Sequence, residues 1–216
     1  MNNLHLKFIF LFLLFSQISF SQTAKEWLEK GKNAYNNERY ESAIEYCTKA
    51  IELNYSLLAG AYSNRGNAKN CLGKYKDAII DLDKAIELEP KFAMPYNNKG
   101  YSLIKLDKRT KAIACFNKAI LLDPNYIEAY YNRGNYKNII GQYDSAIIDF
   151  SKAISLAPNC VAAYQNRGLS KFSLRKYKEA IADFKEVLRY DPHNFAVKVA
   201  IEMANTELDE QQKQNK

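Results

Sequence analysis

The sequence predicts an all-α fold of tandem helix-turn-helix repeats, and three recurring features support this prediction. Glycine, alanine and proline each recur at a nearly constant interval along the chain. Self-similarity at a period of roughly 20 to 50 residues is typical of stacked-repeat architectures. The recurring glycines are Gly31, Gly66, Gly100, Gly134 and Gly168. The alanines that follow them are Ala43, Ala78, Ala112, Ala146 and Ala180, and the prolines are Pro90, Pro124, Pro158 and Pro192.

The N-terminal segment differs in composition from the rest of the chain. A lysine precedes an unbroken apolar run from Phe8 to Phe15, and Ser19 and Ser21 are small residues suited to a cleavage site. This order predicts a secretory signal peptide over residues 1–21. The alternative is a membrane anchor, but the run is shorter than the roughly 20 residues that a spanning helix needs. We therefore expect a periplasmic or secreted protein with no membrane span after the signal is cleaved.

Each repeat has the pattern of two helices. When the recurring glycine is numbered position 8, small residues also occupy positions 20 and 27 and would let two helices approach closely. In the second half of one repeat, Ala78, Leu82, Ala85 and Ile86 fall at three- and four-residue intervals, which predicts one apolar helix face. Proline at position 32 ends that helix. The predicted repeats cover residues 24–58, 59–92, 93–126, 127–160 and 161–194.

A turn is expected between the two helices, near position 15. Gly73, Gly141 and Asp107 occupy this position in three repeats and suit a positive φ. Glu38 and Arg175 occupy it in the other two and suit it less well.

The chain after the last repeat predicts a capping helix over residues 195–211. An apolar stripe at helical spacing would cover the last repeat while polar residues meet water, as a terminal cap must. The stripe consists of Val197, Ile201, Ala204 and Leu208. No matching cap precedes Trp27, so the edge of the first repeat is a candidate apolar surface for self-association.

Composition argues against several functional classes. The formal charge of +7 comes from 31 basic and 24 acidic residues that are scattered along the chain, so we expect no nucleic-acid partner. Only two histidines occur, and the sequence has no glycine-rich phosphate loop, Ser–His–Asp set or paired catalytic carboxylates. We expect a non-enzymatic protein that needs no cofactor and no metal.

The four cysteines, Cys47, Cys71, Cys115 and Cys160, are far apart in the sequence, form no CxxC pair and lack metal-site spacing. An exported chain could form two disulfides, and Cys47 with Cys71 is the pair to check. Cys47 shares a core position with Leu82, which favours a buried free thiol instead.

Arginine at position 7 occurs only in repeats that have aspartate at position 23. These two positions lie on the paired helices of one repeat, so we expect a structural ion pair between them. A row of ligand-binding arginines is the alternative. The residues are Arg65 with Asp81, Arg133 with Asp149, and Arg167 with Asp183.

This pattern closely resembles the tetratricopeptide repeat over residues 24–194: small residues at positions 8, 20 and 27, large ones at 4, 17 and 24, and proline at 32. The resemblance implies a right-handed superhelical solenoid that binds other proteins. In that family, positions 2, 5, 6, 9, 12 and 13 of the first helix generally line a concave groove.

Asparagine recurs on the positions that the resemblance assigns to the groove. An asparagine amide both donates and accepts, so it can pair with the backbone of a bound peptide. The candidate peptide-binding residues are Asn64, Asn67, Asn98, Tyr101, Asn132, Asn135 and Asn166. Asn70 and Asn138 are expected on the same face. The alternative is that the asparagines at position 6 bridge neighbouring repeats.

One chaperone-binding subset of the family holds an acidic tail with a clamp of lysines, asparagines and an arginine. No three successive repeats here carry the clamp's lysines and arginine, so such a tail is not expected. The sequence predicts an exported scaffold that binds a protein partner, as an extended segment, in its groove. The alternative is a self-associating component that docks through its first repeat.

Overall fold

The computed structural model describes residues 23–53 and 58–214, and within them every regular element is an α-helix. The predicted all-α fold of tandem helix-turn-helix units is confirmed. The chain divides into two compact units, Met1–Leu122 and Asp123–Lys216. The predicted signal peptide over residues 1–21 lies outside the described residues.

The first unit contains three helical pairs. Neighbouring helices pack on one another along the chain, and α3 also contacts α5, so the first helices of successive repeats lie side by side. The helices are α1 (23–36), α2 (Tyr40–Glu52), α3 (Leu58–Cys71), α4 (Tyr75–Leu88), α5 (Ala93–Lys105) and α6 (Arg109–Leu122).

The second unit repeats this arrangement and ends in a longer helix. Its first helices α7 and α9 contact each other as α3 and α5 do. The helices are α7 (Ile127–Ile139), α8 (Tyr143–Leu156), α9 (Val161–Ser173), α10 (Tyr177–Tyr190) and α11 (Phe195–Gln214). None of the helices described is both long and apolar enough to cross a membrane.

The recurring glycine allows the two helices of a repeat to touch. A Cβ atom on Gly66 would lie 2.8 Å from Leu82 Cγ, and one on Gly100 would lie 2.7 Å from the Phe116 ring. In the first repeat the corresponding neighbour is the Cys47 sulfur, at 2.7 Å. These distances are too short for real Cβ atoms, so a side chain at position 8 would force the helices apart.

All five turns at position 15 have a positive φ. The angles are 72° at Gly73 and 78° at Gly141, and also 58° at Glu38, 56° at Asp107 and 58° at Arg175. In each turn the next backbone N–H donates to the carbonyl five residues earlier, for example from Lys74 to Lys69 at 2.9 Å. This is the Schellman motif, which satisfies the last carbonyls of a helix.

The C-terminal helix packs on the last repeat through the predicted stripe. Val197 is 2% exposed and lies in a cluster with Phe184 and Val187 of α10. Ala204 is fully buried against Tyr177 and Ile181. The helix continues three residues beyond the predicted end at residue 211, to Gln214.

Candidate peptide-binding face

The predicted Arg–Asp pairs are present in all three repeats and are bidentate. Arg65 donates from Nε to Asp81 Oδ2 at 2.9 Å and from Nη2 to Oδ1 at 2.7 Å. The side chain of Asp81 is only 3% exposed. Arg133 and Asp149 pair in the same way in the fourth repeat, with donor–acceptor distances of 2.9 and 2.6 Å. The third pair is Arg167 with Asp183.

A lysine completes each of these pairs, and the sequence prediction missed it. Lys69 Nζ lies 2.7 Å from Asp81 Oδ2, so one buried carboxylate faces two cations. We call each such group, formed by the side chains at positions 7, 11 and 23 of one repeat, a charged triad. The signal was available, because lysine occurs at position 11 only in repeats that also have the arginine and the aspartate. The lysines are Lys69, Lys137 and Lys171.

Arg65 and Arg167 also bond to the preceding repeat. Arg65 Nη1 donates to Thr48 Oγ1 at 3.0 Å, and Arg167 Nη1 donates to Ser151 Oγ at 3.0 Å. Each hydroxyl belongs to the second helix of the repeat before. These arginines therefore join helices within and between repeats, which is a structural role.

Asn70 and Asn138, which the sequence places on the same face, both bond to the next repeat. Asn70 is 4% exposed, donates to the carbonyl of Asn98 at 3.0 Å and accepts from Ser102 Oγ at 2.6 Å. Asn138 accepts from Ser170 Oγ at 2.9 Å. A buried amide must find partners, and here the adjoining repeat supplies them.

The asparagines at position 6 differ in their surroundings. Asn98 is 8% exposed; its oxygen accepts from Asn97 Nδ2 at 3.3 Å, whereas its own Nδ2 has no partner among the described residues. Asn166 donates to Tyr131 Oη at 3.1 Å, so it bridges neighbouring repeats in the second unit, as the alternative interpretation expected. Asn64 and Asn132 are half-buried.

In the first unit, the candidate Tyr101 keeps part of its side chain open to solvent. Tyr101 on α5 is 37% exposed, and its ring packs edge-on against Tyr75 with centroids 6.3 Å apart. Lys105 Nζ lies 5.3 Å from the centre of the same ring. Two contacts thus orient an aromatic ring that water still reaches.

A cluster of polar side chains from α1 and α3 surrounds the hydroxyl of Tyr35. The half-buried Asn67 hydrogen-bonds the hydroxyl of Tyr35, and the exposed Cys71 thiol donates to the same hydroxyl at 3.5 Å. Burial is the main cause of the raised pKa of Tyr35, so its hydroxyl stays protonated and can donate. In the second unit the candidate Asn135 is also half-buried.

All four cysteines are free thiols in this structure. Cys47 is fully buried with Leu28, Ala50 and Ala61, and burial raises the pKa of its thiol to about 11. It therefore packs as a small neutral apolar residue, as its repeat position predicted. Within the described residues, no group of three or more histidine, cysteine and acidic side chains is placed to hold a metal ion.

The exposed surface of the first repeat is charged rather than apolar. A shallow cavity of about 460 Å³ on α1 is lined by Lys25, Glu26, Glu29, Lys30 and Asn33. Trp27 is half-buried, with Lys30 Nζ and Lys49 Nζ at 4.4 and 4.6 Å from its ring centre. Two ammonium groups thus lie over the Trp27 ring, at the edge where the sequence predicted an apolar docking surface.

Comparison with known families agrees with the geometry of the repeats. Models described as tetratricopeptide repeat match residues 24–56, 59–92, 127–160 and 161–194, and a model described as TPR repeat matches residues 100–138. The chain belongs to the tetratricopeptide repeat family. Proteins with this repeat and this fold are typically non-enzymatic scaffolds for protein interactions.

Individual relatives of this tetratricopeptide repeat protein share only part of their length with it. Heat shock protein STI1 of Saccharomyces cerevisiae is 34% identical over 73 residues, which is 34% of this chain and 12% of the yeast protein. The chain thus spans about an eighth of that relative.

Two solved structures show the same fold. The TPR protein TTC0263 of Thermus thermophilus superposes with a TM-score of 0.70 at 18% identity, over 85% of this chain and 99% of that one. The first TPR of Spaghetti (RPAP3), bound to the HSP90 peptide SRMEEVD, has a TM-score of 0.53 and is 28% identical, covering 55% of this chain and 94% of that one.

Proposed function

We propose that this protein is an exported scaffold that binds an extended segment of a partner protein along the first helices of its repeats. In the first unit the binding face consists of α1, α3 and α5. The observation that carries this proposal is Tyr101, a ring oriented by Tyr75 and Lys105 but still 37% exposed. Tyrosine is enriched among the residues that dominate binding energy, and a ring that is already oriented loses little entropy when it binds.

The polar groups beside Tyr101 suit the backbone of a bound segment. Asn98 precedes Tyr101 by three residues on α5, so both lie on one side of that helix. An unpaired buried N–H costs roughly 1–3 kcal/mol, so a rotation of the Asn98 side chain that brings Nδ2 to a carbonyl of a bound peptide would relieve this cost. Asn64 and Asn67 on α3 offer further donors and acceptors.

The side chains on this face also indicate which segments bind. The face offers amides, tyrosines and a thiol where the acidic-tail clamp would need lysines and an arginine. We therefore expect a segment with apolar or aromatic side chains, unlike the acidic HSP90 peptide bound by Spaghetti.

The experiment is a selection of random dodecapeptides displayed on phage, followed by fluorescence anisotropy with a selected peptide. Tyr101→Ser should weaken binding at least about tenfold, because an aromatic hot spot contributes roughly 2 kcal/mol or more. Asn67→Ala should weaken it less. The control is Ile80→Ser, which changes a residue that is 67% exposed on the second helix α4.

Equal affinity for the unchanged protein and for Tyr101→Ser, with unchanged helical circular dichroism, would reject this face as the binding site. A loss caused by Ile80→Ser alone would place the site on the second helices.

The export component rests on the sequence of residues 1–21 and has its own test. The full chain is expressed in a Gram-negative bacterium and the periplasmic fraction is analysed by N-terminal sequencing. We expect a mature protein that begins at Gln22, and we expect Leu13→Arg to retain the chain in the cytoplasm by breaking the apolar run. An unprocessed chain that stays in the cytoplasm would rule export out.

A further inference from the structure

The third repeat lacks the charged triad. Its residues at positions 7, 11 and 23 are Lys99, Leu103 and Cys115, where the second repeat has arginine, lysine and aspartate. Lys99 Nζ instead forms an ion pair with Asp83 on the second helix of the preceding repeat. The groups that fill this part of the second, fourth and fifth repeats are therefore absent from the third.

A cavity of about 330 Å³ lies at this place, between α4, α5 and α6. Its lining is mixed: one part is apolar and consists of Ile79, Leu103, Ala114 and Cys115, and the other is charged and consists of Asp83, Lys99, Lys108 and Lys111. Burial raises the pKa of the Cys115 thiol, so this side chain is neutral and adds to the apolar wall. The volume is at the lower end of the roughly 300–1,000 Å³ that is typical of small-molecule sites.

The rim of the cavity is positively charged. Lys108 and Lys111 line it from α6 and its preceding turn, and within the described residues neither forms an ion pair. The one carboxylate in the lining, Asp83, is already paired with Lys99. Two unpaired ammonium groups therefore lie beside an apolar pocket.

We propose that this cavity binds a carboxylate carried on a short aliphatic chain, with the chain against Leu103 and Cys115 and the carboxylate at Lys108 and Lys111. Charge-assisted hydrogen bonds from ammonium to carboxylate are among the stronger ones available to a side chain. The carboxylate belongs to a free short-chain acid or to the C-terminus of a peptide that ends in an aliphatic residue. The site is separate from the proposed peptide-binding face, because none of its lining residues is among the candidate residues of that face.

The test is an NMR titration of the whole protein with sodium hexanoate and, separately, with acetyl-Ala-Leu bearing a free carboxylate. The neutral controls are hexanamide and acetyl-Ala-leucinamide. We expect one of the two acids to shift the amide signals of Leu103, Ala114 and Cys115 saturably. A Kd of about 1 mM is expected for a ligand of this size. The acid that binds more tightly identifies the source of the carboxylate.

Two variants and a matched control locate the binding. Lys108→Gln/Lys111→Gln should weaken it at least about tenfold, since it removes both ammonium groups from exposed positions. Lys99→Arg/Leu103→Lys/Cys115→Asp places a charged triad in the cavity and should abolish it, with circular dichroism to verify folding. The control Lys74→Gln/Lys76→Gln changes two exposed lysines of a neighbouring cavity and should leave binding unchanged.

Three outcomes would overturn the proposal. The first is that neither acid gives saturable shifts. The second is that the amides bind as tightly as the acids, because the ammonium groups would then have no role. The third is that the control variant weakens binding as much as Lys108→Gln/Lys111→Gln does.

Discussion

The second and third repeats share one backbone plan but have different interiors. Both contain two helices joined by a positive-φ turn, and in both a glycine at position 8 touches a buried side chain of the second helix. Beside this contact the second repeat holds a buried carboxylate between two cations, whereas the third holds Leu103, Cys115 and a cavity.

The difference shows which part of the repeat specifies the fold. The small residues and the turn set how closely two helices approach, and they are common to both repeats. The residues at positions 7, 11 and 23 fill the space that remains, and either charged or apolar groups are compatible with it. A cavity or a charged group can therefore occur in this space in one repeat and be absent from its neighbours.

The largest expected difference between the two repeats comes from removing the residue at position 23. Asp81→Ala leaves Arg65 and Lys69 without their carboxylate and should lower the free energy of unfolding by about 3–5 kcal/mol. Cys115→Ala removes one neutral thiol and should cost no more than about 1 kcal/mol. Urea denaturation followed by circular dichroism measures both. Equal losses would mean that the triad contributes no more than the apolar packing does.

The glycine contact should be equally important in both repeats. Gly66→Ala and Gly100→Ala would each place a Cβ within 3 Å of a buried side chain, at Leu82 and Phe116 respectively. We expect each to cost about 1–3 kcal/mol through overpacking. The same denaturation experiment checks this, and a neutral effect in one repeat would show that its helices can separate without loss.

Exchanging the cation at position 7 should destabilise the second repeat but have little effect in the third. Arg65→Lys loses the bidentate bond to Asp81 and the bond to Thr48, and should cost about 1–2 kcal/mol. Lys99→Arg meets no aspartate at position 23 and should stay within about 0.5 kcal/mol of the unchanged protein. A stabilising Lys99→Arg would contradict the requirement for the carboxylate.

The turn should give the smallest effects. Gly73→Ala forces an alanine to φ 72° and should cost about 1 kcal/mol. Asp107→Gly relieves the positive φ of 56° in the third repeat and should gain up to about 0.5 kcal/mol, since its exposed pair with Arg109 contributes little. Thermal unfolding curves of the two variants measure both changes. A loss on Asp107→Gly would show that this pair matters more than the backbone strain.

Features that repeat along the chain could be predicted from the sequence. The helical pairs, the Arg65–Asp81 type of pair and the turn at position 15 are periodic patterns, and the fixed spacing alone indicates which residues meet. The spacing even extends the positive φ to Glu38 and Arg175, whose side chains do not favour it. The three lysines at position 11 follow the same rule and could have been found in the same way.

Features that depend on how one repeat fits against the next could not be predicted. Nothing in the repeat pattern shows that Asn70 turns towards Ser102, or that Asn98 is nearly buried while Tyr101 is exposed. These outcomes depend on the tilt between neighbouring first helices, which sequence periodicity does not determine. The repeat positions of the candidate residues could therefore be assigned from the sequence, but their burial and their hydrogen-bond partners could not.

The hydrogen bond between Asn70 and Ser102 also restricts which repeat can follow the second one. Asn70 at position 12 needs a serine at position 10 of the repeat that follows, and Ser102 provides it. The second repeat itself has Ala68 at position 10. If the second repeat were duplicated in tandem, the first copy of this buried amide would face a methyl group instead of a hydroxyl. The two surfaces that a repeat presents to its neighbours are thus different, and each is complementary to one particular neighbour. The repeats therefore cannot exchange places in the chain without losing such bonds.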